Sequence, residues 1–369
     1  MLKNSFKIGS ISDIPIKLHI SFIIALPFIA WAVSTNIEMM AELMNINYSN
    51  MVIPDYILGL VIVIALFISV GLHELGHSFV ARSRGNEINS ITLMLLGGVA
   101  EIKEMSEEPQ DELRISLVGP MVSLAIGLTL ILIAQLTTNF IAADLQFIVL
   151  YLGQLNVFLA IFNLIPAFPN DGGRVLRAFI ARKRDFLTAT KIAVSVSKVI
   201  VFIFGVIGFL YGNFILILIA FFIYMRANQE FQYSKIKKTL SDLKVKDLMS
   251  QDVEYISGDI TIKELLNKML NKSHSGYPII EDDKVVGLVT MEDIRKIDPQ
   301  KHHDVSVREI MSTNIKKTSP EEDINKALQL LLEEDIGRLM VIDDDKLVGI
   351  ITRTDIFNAF KIKQIENRL

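Results

Sequence analysis

Ile64-Ala65-Leu66-Phe67-Ile68-Ser69-Val70-Gly71-Leu72-His73-Glu74-Leu75-Gly76-His77 is an apolar run that ends in two histidines and a glutamate. On a helix, positions i and i+4 project from one face, so His73 and His77 can grip one ion. Glu74 stands beside that face, where it can reach a water molecule. Alone, three fixed letters in five positions are a weak pattern. The surroundings strengthen it, because the run is apolar enough to lie in lipid, where each ionisable group is costly and generally functional. The plainer alternative is a polar cluster satisfied by neighbouring helices.

Working outward, a spanning helix needs about 20 mostly apolar residues. Six runs qualify, at 19–35, 53–82, 113–136, 145–169, 191–211 and 213–227. Pro166 and Pro169 interrupt the fourth, and Gly212-Asn213 makes a tight hairpin of the last two. No Lys or Arg occurs between Lys17 and Arg82, between Arg114 and Arg174, or between Lys198 and Arg226. Along a six-span path, every basic cluster therefore falls on one side: Lys3, Lys7 and Lys17; Arg82, Arg84 and Lys103; Arg174 to Arg184; and Arg226 onward. The other side carries Glu38, Glu42 and Asp144. By the positive-inside rule both termini are expected in the cytoplasm of a multi-pass cell-membrane protein. No signal-peptide cleavage site is evident, so the N-terminus is expected to be retained. Residues 87–104 are β-prone with a Gly97-Gly98 break, and are expected to form a hairpin or short sheet at the cytoplasmic face. Irregular backbone at that depth is tolerated only against protein or a water-filled cavity.

The 369 residues are 51% hydrophobic and 21% charged, an average that hides an apolar stretch to about residue 230 and an ordinary soluble mixture beyond 235. A net charge of −4 points to no nucleic-acid partner. There is no cysteine, which excludes disulfides, thiol nucleophiles and cysteine zinc sites and leaves His and carboxylate as metal ligands. A catalytic zinc site takes three protein ligands. His19 is one candidate for the third, though a lone His at the start of a span is more often an interfacial anchor. Asp171 is the stronger one. His77 precedes Arg82 by five residues and Asp171 precedes Arg174 by three, so both motifs lie at similar depth below an interface marked by basic residues. Pro166, Pro169 and Gly172-Gly173 break the helix and free the backbone to aim the carboxylate inward. The bland reading is that Asp171 merely caps a broken helix end.

Gly71-Leu72-His73-Glu74-Leu75-Gly76-His77, Gly97-Gly98-Val99-Ala100, Gly119-Pro120, and Asn163 with Pro166 and Asp171-Gly172 together resemble the site-2 protease family of intramembrane metalloproteases, in its prokaryotic six-span group with C-terminal regulatory domains. The resemblance implies that His73, His77 and Asp171 bind one zinc ion, that Glu74 is the general base, and that Asn163 lines the site and stabilises the developing oxyanion. It implies a zinc metalloendopeptidase that cuts transmembrane protein substrates. One departure is Asn170, a position usually apolar in the family. A substrate helix has its carbonyls bonded internally and must unwind before attack. The segment 87–104 is expected to hold the unwound strand by edge pairing. If so, proline at Ile91 or Leu93 should impair cleavage.

Residues 245–294 and 307–356 repeat with a constant offset of 62, Gly287 matching Gly349 and Asp293 matching Asp355. Each unit reads helix, strand, strand, helix, with an Asp-Asp-Lys turn between the strands. This resembles a tandem pair of CBS (cystathionine-β-synthase) domains. In that family Gly-x-x-Thr-x-x-Asp binds adenine nucleotides, which implies AMP, ADP or ATP at Thr290 and Asp293 and at Thr352 and Asp355, and pairing of two chains into a homodimer. Thr and Asp at a helix start are also ordinary caps. The expected fold class is a polytopic α-helical membrane protein of six spans with a small β segment at the cytoplasmic face, plus soluble α/β tandem CBS domains. The expected division is a transmembrane metalloprotease domain at 1–227, a linker at 228–244, and CBS domains at 245–300 and 305–362. A CBS-gated transporter or channel is the competing class, but a permease needs no Glu placed as a base beside a His pair and a distant Asp. An inert membrane-protein binder is disfavoured by the intact Glu74.

Overall fold

The computed structural model describes residues 5–95, 97–102, 108–138, 140–272, 274–281 and 284–366. Lys3, Lys103, Glu104 and the Asp282-Asp283 turn lie outside them. The chain divides into two compact units, Leu2–Ser234 and Lys235–Leu369.

The N-terminal unit is built from apolar helices, which satisfy their backbone groups internally, as a lipid environment demands. Its elements are β1 (Ser5–Ile11), β2 (Ile14–His19), α1 (Ile20–Ser34), α2 (Ile37–Leu43), α3 (Asp55–Ser83), β3 (Ile88–Met94), β4 (Gly97–Ile102), α4 (Pro109–Thr137), α5 (Ala143–Asn163), α6 (Asp171–Ala181), α7 (Phe186–Leu210) and α8 (Phe214–Thr239). Among the described residues α3, α4, α5, α7 and α8 are long and apolar enough to cross a membrane, with a sixth if α1 and α2, bent by 53°, count as one span. The fourth apolar run stops being helix at Asn163, just before its prolines. The hairpin at Gly212 is present: Gly212 has φ +63°, and Asn213 Oδ1 accepts the Leu216 amide to start α8. α8 continues as helix through residues 228–239.

The expected hairpin in 87–104 forms as β3 and β4, but it belongs to a larger sheet of order β1-β2-β3-β4. The strands β1 and β2, absent from the sequence reading, turn at Ser12-Asp13, both at positive φ, and Arg82 at the end of α3 donates to Ser12 O. β2 pairs parallel with β3, so Ile91 and Leu93 are held on both sides, by Ile16 and Ala100 and by Leu18 and Gly98. β3 is therefore an inner strand, and the edges of the sheet are β1 and β4. A proline at Ile91 or Leu93 would break the sheet itself, so a loss of cleavage there would not report on edge pairing.

The C-terminal unit holds α9 (Val245–Leu248), α10 (Ile262–Lys272), β5 (Gly276–Glu281), β6 (Lys284–Thr290), α11 (Met291–Arg295), α12 (Val307–Ile310), β7 (Lys317–Thr318), α13 (Ile324–Glu333), β8 (Arg338–Asp343), β9 (Lys346–Thr352) and α14 (Arg353–Glu366). The repeat is carried into register. β5–β6 and β8–β9 are antiparallel pairs with a bulge at equivalent places, Ile279/Ile280 and Val341/Ile342. The repeats also exchange contacts: Met249 packs on Gly349 and Met311 on Gly287, where side chains larger than glycine would collide with the sulfur. Two cores result, one around Ile262, Leu265 and Tyr277 with Val307 of the second repeat, the other around Ile324, Leu331 and Ile351 with Val245 of the first.

Candidate metal centre

Three elements converge. α3 presents His73 and His77 one turn apart, both buried. The chain leaves α5 at Asn163, turns through the prolines, and enters α6 with Asp171 as its first residue. Asp171 Oδ2 lies 3.2 Å from His73 Nε2 and 3.3 Å from His77 Nε2, and the two Nε2 atoms lie 3.1 Å apart. Zinc held tetrahedrally by imidazole nitrogen and carboxylate oxygen at roughly 2.0–2.1 Å spaces its ligand atoms about 3.3 Å apart. The triangle matches that edge.

The tautomer is fixed from behind. His77 Nδ1 lies 2.6 Å from the Ile115 carbonyl, which only accepts, so Nδ1 carries the proton and Nε2 turns a lone pair inward. His73 Nδ1 lies 2.9 Å from Ser123 Oγ, a hydroxyl that can accept as well as donate, so the same tautomer is open to His73. With both Nε2 atoms unprotonated, three acceptor atoms face one another, an arrangement that repels unless positive charge lies among them. Gly119 of α4 completes the cradle, since a Cβ there would collide with Nε2 of both histidines. Among the described residues this is the one group of three such side chains able to hold a metal ion.

Glu74 is half-buried beside the triangle. Gly98 of β4 lies directly over it, and a Cβ at Gly98 would collide with its side chain. The edge strand thus passes the carboxylate. Asn163 closes α5, half-buried, and its side-chain amide makes no hydrogen bond among the described residues. The N-cap position of α6 is Asn170, whose side chain makes no cap bond, and the Asp171 carboxylate, one residue on, is turned to the histidines. The Asn170 amide donates to Phe162 O at 2.8 Å, so the departure at this position ties the turn back onto α5. His19 is not part of the centre. It caps α1, with Nδ1 accepting the Ser21 amide at 3.1 Å.

Sequence reasoning missed Ser123 and Ile115, the groups that set the two imidazoles. The sequence held only a partial cue: Ser123 follows Gly119 by four residues and so shares its face of α4.

In the C-terminal unit Thr290 Oγ1 donates to Asp293 Oδ2 at 2.7 Å, and that oxygen also accepts the Thr290 amide at 3.0 Å. Thr352 and Asp355 repeat the arrangement at 2.7 and 2.9 Å. Each pair is a reciprocal cap at a strand-to-helix junction.

The family model for peptidase family M50 matches residues 61–141 and 130–204, and the CBS domain model matches residues 245–299 and 307–362. A zinc metalloprotease of Methanocaldococcus jannaschii is 37% identical over 99% of this chain and 98% of its own length. Among solved structures, the site-2 protease of the same organism is 39% identical, covering 62% of this chain and 95% of that one with a TM-score of 0.43. A CBS domain pair solved with 5′-methylthioadenosine and S-adenosyl-L-methionine is 27% identical, covering 33% of this chain and 98% of that one with a TM-score of 0.31. Identity sustained across the full length of both chains, with the zinc-type donor triangle in place, identifies this chain as a member of the site-2 protease family of zinc metallopeptidases, joined to a tandem CBS pair.

Proposed function

We propose that the chain hydrolyses a peptide bond in or near a transmembrane segment of membrane-protein substrates. The observation that carries this reading is the convergence of His73, His77 and Asp171 beside Glu74, on helices apolar enough to lie in a bilayer. His73, His77 and Asp171 hold one zinc ion, which when bound polarises the scissile carbonyl and acidifies water. Glu74 takes the proton of the attacking water and delivers it to the leaving nitrogen. Asn163, with its amide otherwise uncommitted, donates a hydrogen bond to the oxyanion. Ser123 and the Ile115 carbonyl keep the imidazoles aimed throughout.

The substrate segment unwinds and adds to the open edge of β4, which brings an extended carbonyl past Glu74. Successive amides of an edge strand point alternately to its partner and away from it. Of Val99→Pro and Ala100→Pro, the one whose amide faces outward should lower cleavage while the sheet stays intact.

Both termini and the CBS pair lie on the cytoplasmic side of the cell membrane, a reading supported by the distribution of basic residues. The protease domain is taken as residues 1–227, joined through 228–244 to CBS domains at 245–300 and 305–362. Thr290 with Asp293, and Thr352 with Asp355, contact an adenine nucleotide that regulates cleavage, and the CBS pair joins two chains. Both pairs sit at helix starts, where backbone N–H groups favour phosphate.

The test is zinc analysis of the full-length protein purified in detergent, with cleavage of a model transmembrane substrate by wild type and Glu74→Gln. Zinc in both and cleavage by wild type alone is the expected result. Equal cleavage by the variant overturns the mechanism.

A further inference from the structure

Both histidines are set by α4, His73 through Ser123 and His77 through the Ile115 carbonyl. Asp171 has no such support from its own backbone, because it begins an 11-residue helix that follows a turn broken by two prolines. For three ligands to share one ion, α6 must be indexed to the same frame as the histidines. Arg177 does this. It lies on α6 with its side chain 4% exposed, and Nε and Nη2 both donate to Glu112 Oε1, the first at 2.8 Å. Glu112 is on α4, three residues before Ile115 and 1% exposed. Arg177 Nη1 donates to Glu230 Oε1 of α8 at 2.6 Å. The guanidinium is also held between two rings, 5.0 Å from the centre of Phe168, in the turn that precedes Asp171, and 4.6 Å from that of Phe186.

A buried charge network of this kind adds little stability over an apolar core of the same volume, and its best-attested use is to select one arrangement. Arginine suits that use. Its rigid fork meets two carboxylates and two ring faces at once, which a lysine ammonium cannot do.

We propose that Arg177 is the positioning residue of Asp171: it registers α6 against α4, so that the third ligand meets the two histidines, and through Glu230 it makes that register depend on α8. The inference rests on the reading of His73, His77 and Asp171 as a zinc site. Glu230 lies near the end of the N-terminal unit, so a displacement of α8 reaches Asp171 through two side chains.

The test uses full-length protein in detergent and two readouts besides activity: the rate at which zinc passes to a chelator, and the visible spectrum of the cobalt-substituted protein. Replacing groups that support metal ligands from behind weakens metal binding by about 10–100-fold. Arg177→Lys is expected near the lower end, with zinc released about tenfold faster and the cobalt bands shifted. Glu230→Gln is expected to move both readouts the same way by a smaller factor. Leu176→Ala, which trims packing against Phe168, Ala193 and Val194, serves as the control. It should lower the unfolding temperature and leave both readouts at wild-type values. Wild-type release rates and spectra in Arg177→Lys and Glu230→Gln overturn the inference, as does a Leu176→Ala variant that reproduces their effect. If wild type binds no zinc, and Asp171→Ala binds no less, the zinc reading fails first and the inference falls with it.

Discussion

The two units spend their polar residues in opposite ways. In the N-terminal unit the ligand side chains that matter are far apart in sequence, buried, and without a local duty: the Asp171 carboxylate meets the imidazoles rather than the start of its own helix, and His73 and His77 face away from their own backbone. In the C-terminal unit Thr290 and Asp293, and Thr352 and Asp355, are three residues apart and satisfy each other as caps. A polar group held in lipid at long range with no structural task points to chemistry. A polar group that completes a helix start has a task already, and a ligand role must be added to it. The comparison predicts that substitutions in the first set remove function with the fold intact, and that substitutions in the second weaken the fold before anything else.

The largest effect tests the first half of that contrast. Asp171→Ala should yield a folded membrane protein with no measurable cleavage and with zinc lost on dialysis, whereas Glu74→Gln should keep its zinc and lose about 10²–10⁴-fold in rate. Zinc content by elemental analysis beside the cleavage rate separates the two. A variant at Asp171 that retains zinc and cleaves would remove the third ligand from the scheme.

Next in size is the support behind His73. Ser123→Ala takes away the partner of Nδ1 without touching the donor triangle, and should weaken zinc binding by about 10–100-fold, read as retention against a graded chelator. A loss of stability with unchanged zinc affinity would move Ser123 from the metal centre into ordinary packing and blur the contrast.

What was legible in the sequence follows the same division. The His73–His77 pair could be read because helical spacing is a local property, and Asp171 because charge marks depth in a membrane. The repeat could be read because a constant offset survives any packing, and it reappears as matched bulges in β5–β6 and β8–β9. The strands β1 and β2 were not legible, since residues 5–19 join a sheet only where β2 pairs with β3, about 75 residues on. Nor were Ser123, Ile115 and Arg177. Which face of α4 meets α3 and α6 depends on how the helices rotate against each other, and spacing within one helix is silent about that. Asn170 looked like an anomaly for the same reason, because its partner, the Phe162 carbonyl, exists only once the chain has turned.

A smaller effect tests the other half. Thr352→Ala removes the side-chain half of the cap at α14 and should destabilise the C-terminal unit by about 1 kcal/mol, measured by denaturant unfolding of the full-length protein, with zinc content unchanged. Adding AMP sharpens the point. If wild type is stabilised by the nucleotide and the variant is not, Thr352 binds as well as caps; equal stabilisation of both leaves capping as its whole contribution.

The smallest effect lies on the surface of the C-terminal unit. Glu321 bonds Lys244 and Lys246, each at 2.5 Å, and those bonds pull its pKa from 4.5 down to about 2. A carboxyl whose pKa is lower in the folded chain favours the fold above the unfolded value, and that contribution fades as the pH falls through the folded one. The window is therefore pH 4.5 to about 2. All three side chains are exposed, so solvent and salt screen the interaction and its contribution is slight. The measurement is the difference in unfolding midpoint between wild type and Glu321→Gln, since zinc loss in acid affects both equally. That difference should be small and constant above pH 5, shrink toward zero as the pH drops toward 2, and diminish at every pH in 0.5 M salt. A difference that grows on acidification would mean that Glu321 stabilises the unit by some contact other than its bonds to the two lysines.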